Sequence, residues 1–326
     1  MKSSVLKMLK AETGYLSGQQ LSERLGVSRT AVWKAVRQLQ EEGYCIEAVR
    51  NRGYRLVEAA DVITPAELSS MLHTAWLGQK LKYFDETDST NIQARKLAEE
   101  GAPHGTLVVA DCQTAGKGRR GRSWVSPHGT GIWMSMVLRP DISPSHASML
   151  TLVAGMAVVR GIREAAGLEP MIKWPNDAVL EGRKICGILT EMSTEDDMIR
   201  YVVTGIGINV NTEDFPEELT ATATSLKLQA GKNVRRSPVI AAAAAAFEEY
   251  YDIFLKTCDM SGLMEDYNRI LANRGRQVCV LDPRGSYEGT ALGIDREGSL
   301  LVQREDGGIV PVISGEVSVR GIYGYV

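Results

Sequence analysis

The sequence predicts an α+β chain of three units: a basic helical N-terminal module, a mixed α/β body, and a short all-β C-terminal unit. Three observations carry this. At 326 residues the chain is long for one domain. Charge is uneven: residues 1–60 hold ten Lys and Arg against six Asp and Glu, a balance of +4, so a net of −3 leaves −7 for the rest. The pattern also changes near Gly275, from helices interspersed with strands to short strands separated by turns. The boundaries fall at 1–62, 63–272 and 273–326.

Residues 3–12 read as an amphipathic helix ending before Gly14. Gln19 to Leu25 forms a second helix closed by Gly26, and Ser28 caps a third running from Arg29 to Leu39, with Gly43 past its end. The short Leu25-Gly26-Val27-Ser28 link punctuates a helix-turn-helix. Two strand-like pieces follow, from Tyr44 to Val49 and from Gly53 to Val57. Arg50, Asn51 and Arg52 between them make the pair a basic wing. Ser28, Arg29, Thr30, Trp33 and Lys34 stand where a recognition helix meets base edges and phosphates, with Arg50 and Arg52 on the wing. A winged helix-turn-helix that binds DNA is the expectation, and a basic end on an acidic body agrees with it.

Residues 59–65 read as a weak linker, with Pro65 in the first turn of a helix to Met71. Leu81–Phe84 is strand-like, and Asp88-Ser89-Thr90-Asn91 caps a helix ending at Gly101. After the strand Thr106–Asp111 comes Gln113-Thr-Ala-Gly-Lys117-Gly118-Arg119-Arg120-Gly121-Arg122-Ser-Trp124. Four cations and three glycines lie between Gly116 and Arg122. Glycines let backbone N–H groups approach a ligand closely, and the cations suit phosphate or carboxylate oxygens. Gly116-x-Gly118-x-x-Gly121 formally matches the dinucleotide fingerprint. Its gaps hold cations, however, and turn-forming residues follow instead of an apolar helix, which excludes that reading. Gly131–Leu138 is a buried strand, and Ser148–Ala166 an apolar helix ending at Gly167. Met171-Ile-Lys-Trp is a strand halted by Pro175, and residues 179–189 form a hairpin turning at Glu181-Gly182. Tyr201–Val210 is another buried strand. Ser237 and Pro238 supply the N-cap and N1 of a helix through Lys256.

Five scattered cysteines without a Cys-x-x-Cys pair argue for reduced thiols. The start carries no signal-type apolar core, and no run approaches the ~18 apolar residues a membrane helix needs. The expectation is a cytoplasmic chain that does not meet a membrane. His73, His104, His128 and His146 show no ligand spacing, so no metal-binding residue is proposed.

Four segments in this order resemble the biotin protein ligases: Asp88-Ser89-Thr90-Asn91, the Gln113–Trp124 loop, Lys173-Trp174-Pro175-Asn176-Asp177, and Gly182-Arg183-Lys184 through Glu191 leading to Gly205-Ile-Gly207-Ile-Asn209. With the N-terminal module, the likeness is to the bifunctional type, ligase and biotin operon repressor in one chain. It implies a central domain like that of class II aminoacyl-tRNA synthetases and an SH3-like C-terminal β-barrel. It further implies ATP-dependent formation of biotinyl-5'-AMP and transfer of biotin to one lysine of biotin carboxyl carrier protein, the acetyl-CoA carboxylase subunit, or of other biotin-dependent carboxylases. Biotin and ATP are then the substrates, with Mg²⁺ on the pyrophosphate. Partners are the carrier and operator DNA, and the homodimer is promoted by biotinyl-5'-AMP.

The family pattern places biotin on Ser89, Thr90, Asn91, Gln113, the Lys117-Gly118-Arg119 backbone and Lys184. The nucleotide falls to Arg122, Trp124, Asn176 and Asn209, and the catalytic charges to Lys173, Arg119 and Lys184. Lys117 stands where arginine is common in the family. Two alternatives stay open at this point: a lipoate or octanoate ligase, and a ligand-sensing repressor without catalysis.

Overall fold

The computed structural model describes residues 1–58, 61–282, 285–313, 318–321 and 325–326. Helices α1 (Lys2–Ala11), α2 (Gly18–Leu25) and α3 (Arg29–Glu41) precede the hairpin β1 (Cys45–Val49) and β2 (Gly53–Glu58). Ser17 and Gln20 form a reciprocal capping box on α2. The Ser28 hydroxyl accepts from the Ala31 N–H, so both expected helix starts rest on side-chain caps. One apolar face of this module closes on itself: Val5, Leu6, Leu9, Leu21, Val32, Val36 and Leu39 share a core.

Helix α4 (Pro65–Met71) follows, with Thr64 as N-cap and Pro65 in its first turn. It belongs to both cores, because Ala66 packs with the N-terminal module while Ile63 and Leu68 pack with the body. Ala59 and Ala60 of the expected linker lie outside the described residues. Its remainder is firmly tied. Asp61 pairs with Arg236 at 3.0 Å, and Arg236 reaches Asp111 at 2.6 Å. Glu67 is fully buried and meets Lys10 at 2.6 Å, the Tyr44 hydroxyl at 2.5 Å and Arg235 at 3.2 Å. A buried carboxylate is tolerated only with such partners. The pairing of Lys10 and Tyr44 with Glu67 therefore docks the basic module on the body.

The body is a seven-stranded sheet: β3 (Leu81–Thr87), β4 (Thr106–Gln113), β5 (Gly131–Leu138), β6 (Met171–Lys173), β7 (Asp177–Leu180), β8 (Arg183–Glu195) and β9 (Met198–Asn209). Its order is β3-β4-β5-β9-β8-β7-β6; β3 and β4 run parallel and all other neighbours antiparallel. Helix α5 (Thr90–Glu99) covers one face, packing Ala94 and Ala98 on Val108, Val137 and Val203. Helices α6 (Met149–Ala166) and α8 (Arg236–Leu255) cover the other, with α7 (Leu226–Ala230) and α9 (Met264–Arg269) beside them. Every residue of β5 is buried, as a strand covered on both sides requires.

Two expectations need correction. An 18-residue window within 144–166 does pass the length and hydropathy test for crossing a membrane. It is 78% buried inside the protein, so α6 is the core helix of the body. Helix α8 starts two residues early, at Arg236 with Arg235 as N-cap. The Asp61 carboxylate takes the Arg236 N–H at 2.8 Å, while the Ser237 hydroxyl turns away to the Val62 carbonyl. A cap from a distant residue has displaced the local one.

The C-terminal unit is a five-stranded antiparallel sheet of order β13-β12-β11-β10-β14, from β10 (Gln277–Leu281), β11 (Tyr287–Ile294), β12 (Leu300–Gln303), β13 (Ile309–Val312) and β14 (Ser318–Gly321). Four of these were expected from alternation and turns; β14, Ser-Val-Arg-Gly, has a single apolar residue and so no alternation to read. Part of the Asp282–Gly285 turn lies outside the described residues. The sheet is anchored on the body where Trp174 donates from Nε1 to the Gly298 carbonyl at 3.1 Å. The Trp174 N–H also meets Asn273 at 2.8 Å.

Candidate ligand cleft and nucleic-acid face

The cleft of about 460 Å³, mouth included, lies where the start of α5, the glycine loop and strands β8 and β9 converge. Its polar end is built at the α5 N-terminus. Ser89 is the N-cap, and its hydroxyl caps nothing in the helix. The Thr90 N–H and hydroxyl both meet Gln113 Oε1, at 2.8 and 3.1 Å, and Gln113 Nε2 donates to Ser126 at 2.8 Å. Beneath them the fully buried Ser135 lies 2.8 Å from Thr90 Oγ1 and 2.7 Å from Asn91 Oδ1. Asn91 in turn donates to Glu191 at 2.7 Å. Donors and acceptors of both kinds are thus held on a rigid frame, which suits a ligand head that both donates and accepts.

The floor is two strands stripped of side chains. A Cβ on Gly205 would lie 2.0 Å from Asn91 Oδ1, and one on Gly207 would lie 2.7 Å from Trp124 Nε1. Gly187 is covered by the same indole. Trp124 lies across this floor, edge-on to Trp133 at 6.5 Å and with Lys184 Nζ 5.2 Å from a ring centroid. Its Nε1 is buried and has no hydrogen-bond partner among the described residues. A donor so placed can meet an acceptor on a bound ligand.

The other wall is charged. Arg119 crosses the cleft from the glycine loop and donates to Asn176 Oδ1 at 2.8 Å. Burial pushes its guanidinium down from the ordinary value, Asp177 pulls it back up, and Arg120 and Arg122 press it down further. The loop is folded rather than trailing: Lys117 bridges Ser123, and Gly118 N–H donates to the Arg122 carbonyl at 2.7 Å. Asp177 Oδ1 receives Lys184 Nζ at 2.7 Å and Asn176 Nδ2 at 3.2 Å. Lys173 faces Asp177 across the β6–β7 register and is only 6% exposed.

Of the residues expected from sequence, Ser89, Thr90, Asn91, Gln113, Lys117, Gly118, Arg119, Trp124, Asn176 and Lys184 line this one cleft. Three stand back from the lining. Arg122 is exposed and engages the loop through its carbonyl. Asn209 is buried at the end of β9, where Nδ2 donates to the Thr224 carbonyl at 3.2 Å. Lys173 sits one strand behind, beside Asp177. Sequence reasoning missed Ser126, Ser135, Asp177 and Glu191, which act on the lining residues from behind it. The paired glycines of β9 were the only signal for the floor.

Ligand-type atoms of Glu86, Cys112 and His128, and of Asp85, Asp111 and His128, lie within 4.8 Å of one another, a grouping the spacing of histidines could not show. None of these residues lines the cleft. The Asp111 hydrogen bond raises the His128 pKa.

On the N-terminal module, Ser28, Arg29, Thr30, Trp33 and Lys34 are exposed on one face of α3, opposite buried Val32, Ala35, Val36 and Leu39. Arg37 joins them, its guanidinium 5.4 Å from the Trp33 ring. Arg50 and Arg52 are exposed at the wing tip, where Asn51 takes a positive φ of 65°. This is a cationic face with a protruding helix, the form that enters a major groove.

Three family models match the chain: an HTH domain over residues 2–55, the biotin/lipoate A/B protein ligase family over 83–209, and the biotin protein ligase C-terminal domain over 275–320. The chain is 45% identical over 314 residues to the bifunctional ligase/repressor BirA of Bacillus subtilis, covering 94% of this chain and 96% of that protein. It is 30% identical to the Escherichia coli protein of the same name, over 96% and 95% of the two. Among solved structures, the biotin protein ligase from Aquifex aeolicus in complex with biotin and ATP is 31% identical. It superposes with a TM-score of 0.65 over 74% of this chain and 99% of that one.

Proposed function

Because the chain belongs to the bifunctional ligase/repressor branch of the biotin protein ligases, we propose that it joins biotin to ATP in the cleft and passes the biotinyl group to a carrier-protein lysine. We propose also that it represses through its N-terminal module. The observation that carries this is the convergence of ten expected residues on a single cleft with a neutral polar end and a cationic wall.

At the polar end, Ser89, Thr90, Asn91 and Gln113 match a ureido ring, which donates through two N–H groups and accepts through one oxygen. The valeryl chain runs over the bare glycine floor toward the cations. There a carboxylate oxygen attacks the α-phosphorus of ATP, a carbon–O–P bond forms, and the bond to pyrophosphate breaks. An anion approaching a polyanion is opposed by charge, so the contribution of this chain is fixed positive charge where the transferring phosphorus stands. Lys173 and Lys184 supply it from the Asp177 side and Arg119 from the loop, while Trp124 covers the adenylate. In the second step the acceptor lysine amine attacks the biotinyl carbonyl, AMP leaves with the bonding pair, and the new amide nitrogen loses a proton.

Mg²⁺, carried on the ATP phosphates, would supply positive charge toward the pyrophosphate. Among the described residues no carboxylate lines the cleft to hold it: Asp177 and Glu191 stand behind the lining, the first taken up by Lys184 and Asn176 and the second by Asn91.

Repression needs two N-terminal modules on two half-sites, hence a dimer. Strand β3, at one end of the body sheet and adjacent to the strand that carries Gln113, is the surface we assign to pairing.

Pyrophosphate release on adding biotin and ATP tests the ligase reading. It should require both, and neither lipoate nor octanoate should replace biotin. Release with lipoate instead would transfer the cleft to the other branch of the family. No release with any of the acids, alongside tight biotin binding, would reduce the chain to a ligand-sensing repressor.

A further inference from the structure

We infer that Tyr325 is a positioning residue of the adenylation centre, supplied by the C-terminal unit. This rests on the reading that Lys173 meets the α-phosphate. The Tyr325 ring centroid lies 3.6 Å from Lys173 Nζ, and its hydroxyl donates to Asp177 Oδ2 at 2.5 Å. The other oxygen of Asp177 holds Lys184 and Asn176, and Asn176 holds Arg119. One side chain from 148 residues away thus touches the carboxylate on which the catalytic cations converge.

The chemistry explains why an aromatic residue stands there. Lys173 is 6% exposed, so its ammonium has lost most of its hydration. An aromatic face stabilises the cation and leaves its charge in place. The hydroxyl meanwhile occupies Asp177 Oδ2, the oxygen that would otherwise turn to Lys173, its partner in the β6–β7 register. Tyr325 thereby engages both members of that pair, the amine through its ring and the acid through its hydroxyl.

The docking of the C-terminal sheet does not depend on this contact. Trp174 bonds to Gly298, and a Cβ on Gly298 would lie 2.7 Å from Leu152 of α6, so the sheet is held independently. Tyr325→Ala should therefore fold.

The test separates the two half-reactions in the full-length chain. For Tyr325→Ala, kcat for pyrophosphate release should fall about 30-fold, the loss of a desolvated cation–π contact. Biotin affinity should stay within about twofold, and transfer from supplied biotinyl-5'-AMP to the carrier should be unchanged, since neither draws on differential stabilisation of the first transition state. Tyr325→Phe, which keeps the ring but releases Asp177 Oδ2, should recover part of the lost rate. An equal fall in biotin affinity, adenylation and transfer would mark a structural anchor and overturn the inference, as would full adenylation by Tyr325→Ala. Lys173→Ala, run in parallel, distinguishes the two failures. A slow Lys173→Ala with an unaffected Tyr325→Ala removes Tyr325 alone, whereas an active Lys173→Ala removes the reading on which it rests.

Discussion

Lys173→Ala is expected to stop adenylation while leaving biotin binding intact. The lysine stands behind the cleft lining, beside Asp177, and is nearly buried. It is thus placed for charge that develops at the transferring phosphorus and away from the polar end that holds the ring. Removing one preorganised charge or donor of this kind costs about 10²–10³-fold in rate. Pyrophosphate release with saturating biotin and ATP should fall by that much, while biotin affinity, read from tryptophan fluorescence, should move less than about twofold. Affinity lost in step with rate would place Lys173 in the ground-state pocket.

Arg119→Gly is expected to release the intermediate. Arg119 spans the cleft to Asn176 at 2.8 Å and ties the glycine loop to the opposite wall. The substitution removes that charge-assisted bond and adds a flexible residue to a loop already rich in them. A hydrogen bond to a charged group contributes about 1.5–3 kcal/mol, so biotinyl-5'-AMP should dissociate about 10- to 100-fold faster. Free adenylate then acylates any exposed lysine, and selectivity for the carrier protein should be lost. A trap for free adenylate, combined with biotin counted on bystander proteins, measures both. Retention equal to that of the unaltered protein would contradict the role of the loop.

Residues near one another in sequence were the legible part. Strand β5 could be read from its largely apolar run, α2 and α6 from their glycine stops, and α3 from its serine cap. The cleft was legible where chemistry clusters within one loop, and the Gln113–Trp124 segment supplies five of its lining residues. What the sequence hid is held across long separations. Ser135 supports Thr90 from 45 residues away, Asp61 caps α8 from 175, and Tyr325 reaches Asp177 from 148. No local period or turn signal encodes such contacts. The same limit made residues 59–65 read as a linker, when Asp61 and Glu67 in and beside it are partners of Arg235, Arg236, Lys10 and Tyr44. For Asn209 the motif pointed to the ligand, whereas the Thr224 carbonyl has already taken its amide.

The glycine loop leaves β4 at Gln113, and the neighbouring strand β3 is the sheet end assigned to pairing. Ordering that loop around the adenylate lowers the entropic cost of joining two protomers, and dimer and ligand then stabilise each other reciprocally. We propose that one intermediate serves both roles, consumed by the carrier protein or retained to repress. Sedimentation of the full chain at fixed salt, with and without biotinyl-5'-AMP, tests it most directly. The adenylate should tighten self-association about 10-fold or more, a coupling of at least about 1.4 kcal/mol. A self-association constant indifferent to the adenylate would contradict it, even with ligase activity and operator binding each in hand.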